Sequence, residues 1–374
     1  MAAIFNDLIP GPDGGGIDWR TLEQSFDWLC ALAGCPQDPV FHAEGDVKVH
    51  TRLVAEALVG DREWRGLEDR ERASLFWAAL LHDVAKPSST RVDEFGRVTA
   101  PGHSRRGQII ARQILWRLGV PFRQREEICH LITHHQAPLY LLERQRPTRR
   151  IHGISLQTRC DLLAILATAD VRGRICPDAA RLSDNISLFR EMAREENCLS
   201  SPRQFPSAHS RFLYFRKPDR SPDFLAYDDW HDGVILLSGL PGSGKDSWLA
   251  GNAEGRVIIS LDDLRRELDV DPRAQQGVVV AEARERARVA LRAGRPLVWN
   301  ATNLSRAIRG ALVNLFSSYR AKTTIIYFET TEVEARRRNA TRERHVADKA
   351  IARMMGHWEP PDVMECHDVR VILG

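Results

Sequence analysis

No C-x-x-C spacing occurs in the chain, and its seven cysteines (30, 35, 129, 160, 176, 198 and 366) are scattered. That pattern excludes a zinc ribbon and a disulfide framework, and it fits a reducing, cytoplasmic setting. Long apolar runs are missing too. None approaches the ~18 residues of a membrane span, so no membrane contact is expected. The opening stretch MAAIFNDLIPGPDGGG lacks a charged-then-apolar build, so no secretory leader is expected. Net charge is small, at +3. It neither demands nor excludes a nucleic-acid partner, and any basic surface must come from local clustering. Arginines do cluster, at 336–338 with Arg342 and Arg344, and again between 144 and 150. A solvated helix face is the ordinary reading of such runs.

What is present is ordinary for a globular protein: 43% hydrophobic and 28% charged residues. At 374 residues the chain is long for one core, and two domains are the first expectation. From about residue 19 to 192 the pattern is helical. Residues 73–85, ASLFWAALLHDVA, are nearly all apolar and predict a buried helix. A small hairpin is expected around 90–99. Residues 201–232, rich in Pro, Ser, Arg and aromatics, read as a linker packed on the domains. Beyond 233 strands (234–237, 257–260, 297–300, 323–328, 369–373) alternate with helices (245–252, 262–268, 275–293, 305–321, 332–343, 347–356). Such alternation argues for a parallel sheet covered on both faces. The expected domains are therefore residues 1–200, all-α, and 233–374, α/β.

The first strand of that second half runs into SGLPGSGKDSWL. Gly239, Gly244 and Lys245 fit G-x-x-x-x-G-K-[ST], the loop whose backbone N–H groups and following helix receive a phosphate. The last position departs from the pattern: Asp246 stands where Ser or Thr is expected, and Ser247 comes one place late. The loop residues Gly239, Leu240, Pro241, Gly242, Ser243, Gly244, Lys245, Asp246 and Ser247 are candidate contacts for ATP or another NTP. Either Asp246 or Ser247 is the candidate for Mg2+, since hard cations favour oxygen ligands. Further on, Asp262 and Asp263 stand at a strand-to-helix junction where a carboxylate can take a hydroxyl's proton. Asp263 could instead cap the helix. Arg265 shares the first turn, and Asn300, Thr302 and Asn303 follow the third strand at the same sheet edge. The arginine run EARRRNATRER could close over a triphosphate.

In the helical half, His82 and Asp83 end the apolar stretch, where buried charge needs compensation. His50, His103, His130, His134, His135 and Asp170 accompany them. Imidazole and carboxylate are the usual ligands of divalent transition metals, and six of these residues could converge inside a bundle, with His130 and His134 as neighbours. The order H…HD…H…H…D, in VHTRLVAEAL, LLHDVAKP, GHSRRGQIIA, LITHHQAP and LATADVRGR, resembles the HD-domain phosphohydrolases over roughly residues 40–175. The resemblance implies that His50, His82, Asp83 and Asp170 bind one metal ion. It implies that His103 and His135 would hold a second, and that Lys86 lies near the scissile phosphate. One or two divalent ions are thus expected, doing metal-assisted phosphoester hydrolysis. Arg105 and Arg106 are candidate phosphate clamps.

The second half, over about 233–360, is similar to the polynucleotide 5′-hydroxyl kinases in its GxPGSGK loop, D-D-x-R segment and arginine lid. On that resemblance Asp262 is the general base and Arg265 holds the acceptor's 3′-phosphate. Arg342, with Arg338 behind it, closes on the ATP phosphates. Together the halves resemble bacterial fusions of the two, which heal RNA ends. That implies ATP-dependent phosphorylation of 5′-OH ends and removal of 2′,3′-cyclic, 2′- or 3′-phosphates. RNA, or DNA, would be the partner, with a functional link to an RNA ligase. Two other readings stand beside it: a small-molecule or nucleoside kinase joined to an HD nucleotide phosphohydrolase, and an ATP-gated RNA-binding regulatory protein.

Overall fold

The computed structural model describes residues 2–13, 15–271, 276–341 and 345–374. The chain divides into two compact units, Met1–Arg203 and Gln204–Gly374. Among the described residues no helix is long and apolar enough to cross a membrane.

The first unit is a helical bundle. Its main helices are Val47–Gly60, Asp69–Leu81, His103–Arg117, Phe122–His134, Cys160–Arg172 and Ala179–Glu195. Asp46 starts the first of these by accepting the Val49 N–H at 2.9 Å. Glu68 and Glu71 form a capping box at the start of the second. That second helix is buried at every position from Ala73 to Leu81, as an all-round apolar helix must be. The sequence predicts it over 73–85, but it ends at Leu81. Pro87 has no N–H to give the carbonyl of Asp83, and its ring disfavours continued helix before it. The chain instead makes tight turns, Val84 N–H to Leu81 O at 3.1 Å and Lys86 N–H to Asp83 O at 2.9 Å. His82 and Asp83 therefore leave the helix and sit in the turn after it. A hairpin, β1 (Arg91–Val92) with β2 (Val98–Thr99), follows.

Two features hold the helix ends together. A Cβ on Gly173 would lie 2.7 Å from Val54 N, so only glycine lets the end of Cys160–Arg172 approach Val47–Gly60 this closely. Buried Arg112 grips both oxygens of Glu126, with Arg125 Nε on the same carboxylate at 2.8 Å. Burial would raise the Glu126 carboxyl, but the two guanidiniums bring it down to about 2. This network ties helix His103–Arg117 to Phe122–His134, whose ends carry His103 and His135. Removing one partner of a buried ion pair typically costs ~3–5 kcal/mol, because the other charge is left uncompensated.

The second unit is a five-stranded parallel sheet in the order β4 (Val257–Ser260), β5 (Leu297–Asn300), β3 (His231–Gly239), β6 (Ala321–Glu329), β7 (Asp368–Leu373). From β3 the chain builds β4 and β5 on one side and β6 and β7 on the other. The carboxyl end of β3 is thus a switch point, where such sheets bind ligands. Residues 204–230 belong to this unit rather than forming a separate linker. Helix Ala208–Arg216 buries Phe212 and Leu213 in the same apolar cluster as Leu236, Trp299 and Ile325. The aromatic content that marked this stretch in the sequence is core material. The helix expected over 305–321 is shorter, Arg306–Ser317. Arg320 turns left-handed (φ 53°) and β6 already begins at Ala321. The helix expected over 332–343 is described as Glu332–Ala340.

Candidate functional site

Six buried side chains from five helix ends and faces meet in the helical unit: His50, His82, Asp83, His103, His135 and Asp170. His82 Nε2 lies 3.3 Å from His50 Nε2 and 3.2 Å from Asp83 Oδ2. His50 Nε2 is 3.1 Å from Asp170 Oδ1, and His103 Nε2 is 3.5 Å from Asp83 Oδ1. Ligand atoms of His50, His82 and Asp83 all lie within 4.8 Å of one another, as do those of Asp83, His103 and His135. Asp83 belongs to both groups, so its two oxygens can serve two neighbouring ions.

Three histidines share one orienting device. His82 Nδ1 is 2.8 Å from Ala79 O, His103 Nδ1 is 2.7 Å from Ala100 O, and His135 Nδ1 is 2.8 Å from Ile132 O. A carbonyl can only accept, so each Nδ1 carries the proton and each Nε2 presents its lone pair inward. Burial pushes His135 down to about 3, so it is neutral near pH 7 as a metal ligand must be. Burial opposes the charge on Asp83 and Asp170, yet both carboxyls are held well below the usual range. The Lys86 ammonium acts on the first and the Arg174 guanidinium on the second. Asp83 Oδ1 is buried without a hydrogen-bond partner. An orphaned carboxylate oxygen facing imidazole lone pairs fits a divalent cation.

Several neighbours were not singled out from the sequence. Glu44 Oε1 lies 2.8 Å from both His50 Nδ1 and His42 Nδ1, fixing the His50 ring from behind. Arg174 donates to both oxygens of Asp170, at 2.9 and 2.6 Å. Its i,i+4 spacing from Asp170 is the one signal that points to it. Glu44 and His42 have no such signal, being set by the loop before Val47–Gly60. Lys86 is buried, with Nζ 2.7 Å from Asp83 Oδ2 and 2.6 Å from Gln37 Oε1. It serves the carboxylate directly. His130 and His134 turn away: His130 Nδ1 is 2.9 Å from Gln157 O and His134 Nε2 is 2.6 Å from Gln157 Oε1. Arg105 and Arg106 are exposed on the first turn after His103.

In the second unit β3 runs into a loop of strained glycines. Gly239, Gly242 and Gly244 have φ of 152°, 79° and 100°. A Cβ on Gly242 would sit 2.6 Å from Ala335 O. Lys245 folds over the loop, donating to Gly239 O and Leu240 O at 2.9 Å each. That places its charge where an incoming phosphate would be wrapped. Asp246 and Ser247 are exposed on the first turn of Lys245–Asn252. Asn300 Nδ2, from the end of β5, donates to Asp246 Oδ1 at 3.0 Å. Asn303 instead braces the loop, donating to Leu237 O at 2.7 Å, and Thr302 O receives the Gly239 N–H at 3.0 Å.

Because the strands are parallel, the ends of β3, β4 and β5 share one edge. Ser260 at the end of β4 caps helix Leu261–Glu267 by accepting the Asp263 N–H at 3.3 Å, so Ser260 and not Asp263 is the cap. Asp262 is exposed on the first turn and ion-paired with Arg265. Arg265 also donates to Gln276 Oε1 at 2.7 Å. Arg338, on Glu332–Ala340, pairs with Glu334 and places Nη1 3.6 Å from where a Cβ on Gly244 would stand. Arg342 lies outside the described residues.

Residues 48–170 match the HD-domain family and residues 234–361 match the AAA-domain family. The helical unit thus carries the HD-domain match and the sheet unit, with its phosphate-loop motif, the AAA-domain match. It is similar to a multifunctional CCA protein from Halorhodospira halophila (strain DSM 244 / SL1), 32% identical over 150 residues. That match covers 38% of this chain and 33% of the relative, so the chain spans about a third of the relative's length. A crystal structure of an assigned but unproven kinase from Chloroflexus aurantiacus aligns over 39% of this chain and 86% of its own. Its TM-score is 0.34 at 12% identity, too low to carry a fold assignment.

Proposed function

We propose that the chain heals broken RNA ends, with the P-loop half phosphorylating 5′-OH termini from ATP and the HD half removing 2′,3′-cyclic, 2′- or 3′-phosphates. The observation that carries this reading is the company of the phosphate loop. Asp262, with Arg265 paired to it, stands at the same sheet edge as Lys245. A carboxylate base beside a guanidinium suits an acceptor that brings both a hydroxyl to deprotonate and a phosphate to hold. A cleaved RNA presents a 5′-OH and a terminal phosphate together, which gives the two halves one substrate.

In the kinase half, Gly239 to Lys245 would wrap the β- and γ-phosphates, and Arg338 would add positive charge as it is transferred. Asp246, steadied by Asn300, would present an oxygen toward Mg2+. In the HD half, His50, His82, Asp83 and Asp170 would hold one divalent ion, with His103 and His135 available to a second. Such ions supply Lewis-acid polarisation of the phosphoryl oxygens and acidify water at the site. Lys86 keeps Asp83 ionised, and Glu44 and Arg174 fix the aim of His50 and Asp170. Grip on the polynucleotide would come from Lys and Arg contacts to phosphates, so activity should fall with salt.

The test is incubation with ATP, Mg2+, a divalent transition metal and an oligoribonucleotide bearing 5′-OH and 2′,3′-cyclic phosphate ends. His82→Ala should cut end-phosphate removal by at least ~100-fold and spare 5′ phosphorylation, and Lys245→Ala should do the reverse. If the wild type modifies neither end, or one substitution silences both reactions, the reading fails. A chain that phosphorylates free nucleosides but no oligonucleotide would be a small-molecule kinase instead.

A further inference from the structure

The hairpin of β1 and β2 grows out of the HD site itself. It begins just after Lys86–Ser89 and returns to His103, the first residue of the next helix. At its tip Phe95 is 75% exposed. An aromatic ring left in water at a loop end is costly in area terms, and a floppy tip would let it fold back. This tip is not floppy. Asp93 Oδ1 accepts both the Phe95 and the Arg97 N–H at 2.9 Å, and Asp93 N–H donates back to Arg97 O at 3.0 Å. Gly96 closes the turn in the left-handed region (φ 76°). Arg97 Nε reaches Asp93 Oδ2 at 2.8 Å, and its guanidinium carbon lies 5.5 Å from the Phe95 ring centroid. The turn thus holds an exposed ring with a cation beside it. Of the basic side chains from 86 to 106, Lys86 is buried on Asp83 and Arg97 pairs with Asp93, while Arg91, Arg105 and Arg106 are exposed against the acidic Glu94.

We infer that the hairpin tip is a base-stacking platform for the single-stranded polynucleotide whose end enters the HD site. Phe95 stacks a nucleobase, and Arg91 and Arg97 face the phosphates beside it. Base–aromatic stacking is sequence-tolerant because every base has a π face, and neighbouring guanidiniums add to it. At ~3.3 Å per residue the six steps from Ser89 to Phe95 span at most ~20 Å. The stacked base therefore lies within a few nucleotides of the reacting phosphate. A small phosphate ester would have no use for this ring. The inference rests on the end-healing reading and names how the HD half tells a polynucleotide end from a small ester.

The experiment compares Phe95→Ala and Phe95→Trp with wild type on two oligonucleotides ending in 2′,3′-cyclic phosphate. One carries normal bases, and in the other the last four nucleotides lack bases. Phe95→Ala should raise KM about tenfold on the normal oligonucleotide with kcat held, and leave the abasic substrate unaffected. Phe95→Trp should keep the wild-type KM. Metal content, measured by mass spectrometry, should be unchanged in both. An unchanged KM for Phe95→Ala, or an equal loss on the abasic substrate, overturns the platform while the end-healing reading stands. A wild type that neither binds nor processes the normal oligonucleotide overturns both.

Discussion

On the proposed reading, the candidate metal cradle of the helical unit and the phosphate loop of the second unit would solve one problem, the handling of phosphate, with different materials. The cradle is made of side chains. Its six donors come from residues 50 to 170, are buried, and are each aimed by a second group: a carbonyl three residues earlier, Glu44, Lys86 or Arg174. The loop is made of backbone. It occupies seven consecutive residues, depends on glycine conformations, and leaves Asp246 and Asp262 exposed at its edge. A metal needs lone pairs at fixed distances, which only convergent side chains supply. A polyphosphate needs a ring of N–H groups, which one tight turn supplies. The cradle should therefore be sensitive to what stands behind its ligands, and the loop to its own backbone.

The largest separation between the two sites should come from Asp262→Ala. Loss of a general base typically lowers rate by roughly 10²–10⁴-fold. That drop should appear in 5′-OH phosphorylation with ATP affinity retained, while phosphate removal stays at the wild-type rate. If transfer to a 5′-OH oligonucleotide survives, Asp262 is not the base. The next effect tests the shell behind the cradle. Glu44→Gln should weaken metal binding by roughly 10–100-fold, the usual consequence of losing an outer carboxylate behind a ligating histidine. Metal titration would show it, with phosphorylation unaltered. Equal metal affinity in the variant would mean that the His50 ring needs no backing. The smallest is Gly242→Ala. Its Cβ would press on Ala335 O from a left-handed backbone position, at a cost on the order of 1–3 kcal/mol. Weaker ATP binding by calorimetry, with unchanged metal content in the helical unit, is the expected outcome. A variant that binds ATP like wild type would show that the loop does not need this backbone path.

How legible each site was in the sequence follows from the same contrast. The loop is contiguous, so Gly239, Gly244 and Lys245 could be read together, and the five strands around it were found with ends shifted by at most three residues. The cradle was legible only as an order of residue types, because its members are spread along the chain from His50 to Asp170, with Asp170 87 positions after Asp83. His42 and Glu44 could not be found at all, since their role depends on how one loop folds back on His50. Residues 204–230 look like a linker in composition, yet Phe212 and Leu213 pack in the sheet's core. Composition records that apolar side chains will be buried but not against what.

By itself the sequence determined the local things: a helical half and an alternating half, the glycine loop after β3, and the set of groups able to bind metal or take a proton. Those depend on periodicity and on backbone freedom, which act over a few residues. Tertiary structure alone decided that the carbonyls of Ala79, Ala100 and Ile132 turn three imidazoles toward one point. It decided too that Gly173 lets Asp170 reach His50 and that Asn300 meets Asp246. Each of these depends on close packing between segments far apart in the chain, where an ångström sets whether two groups meet.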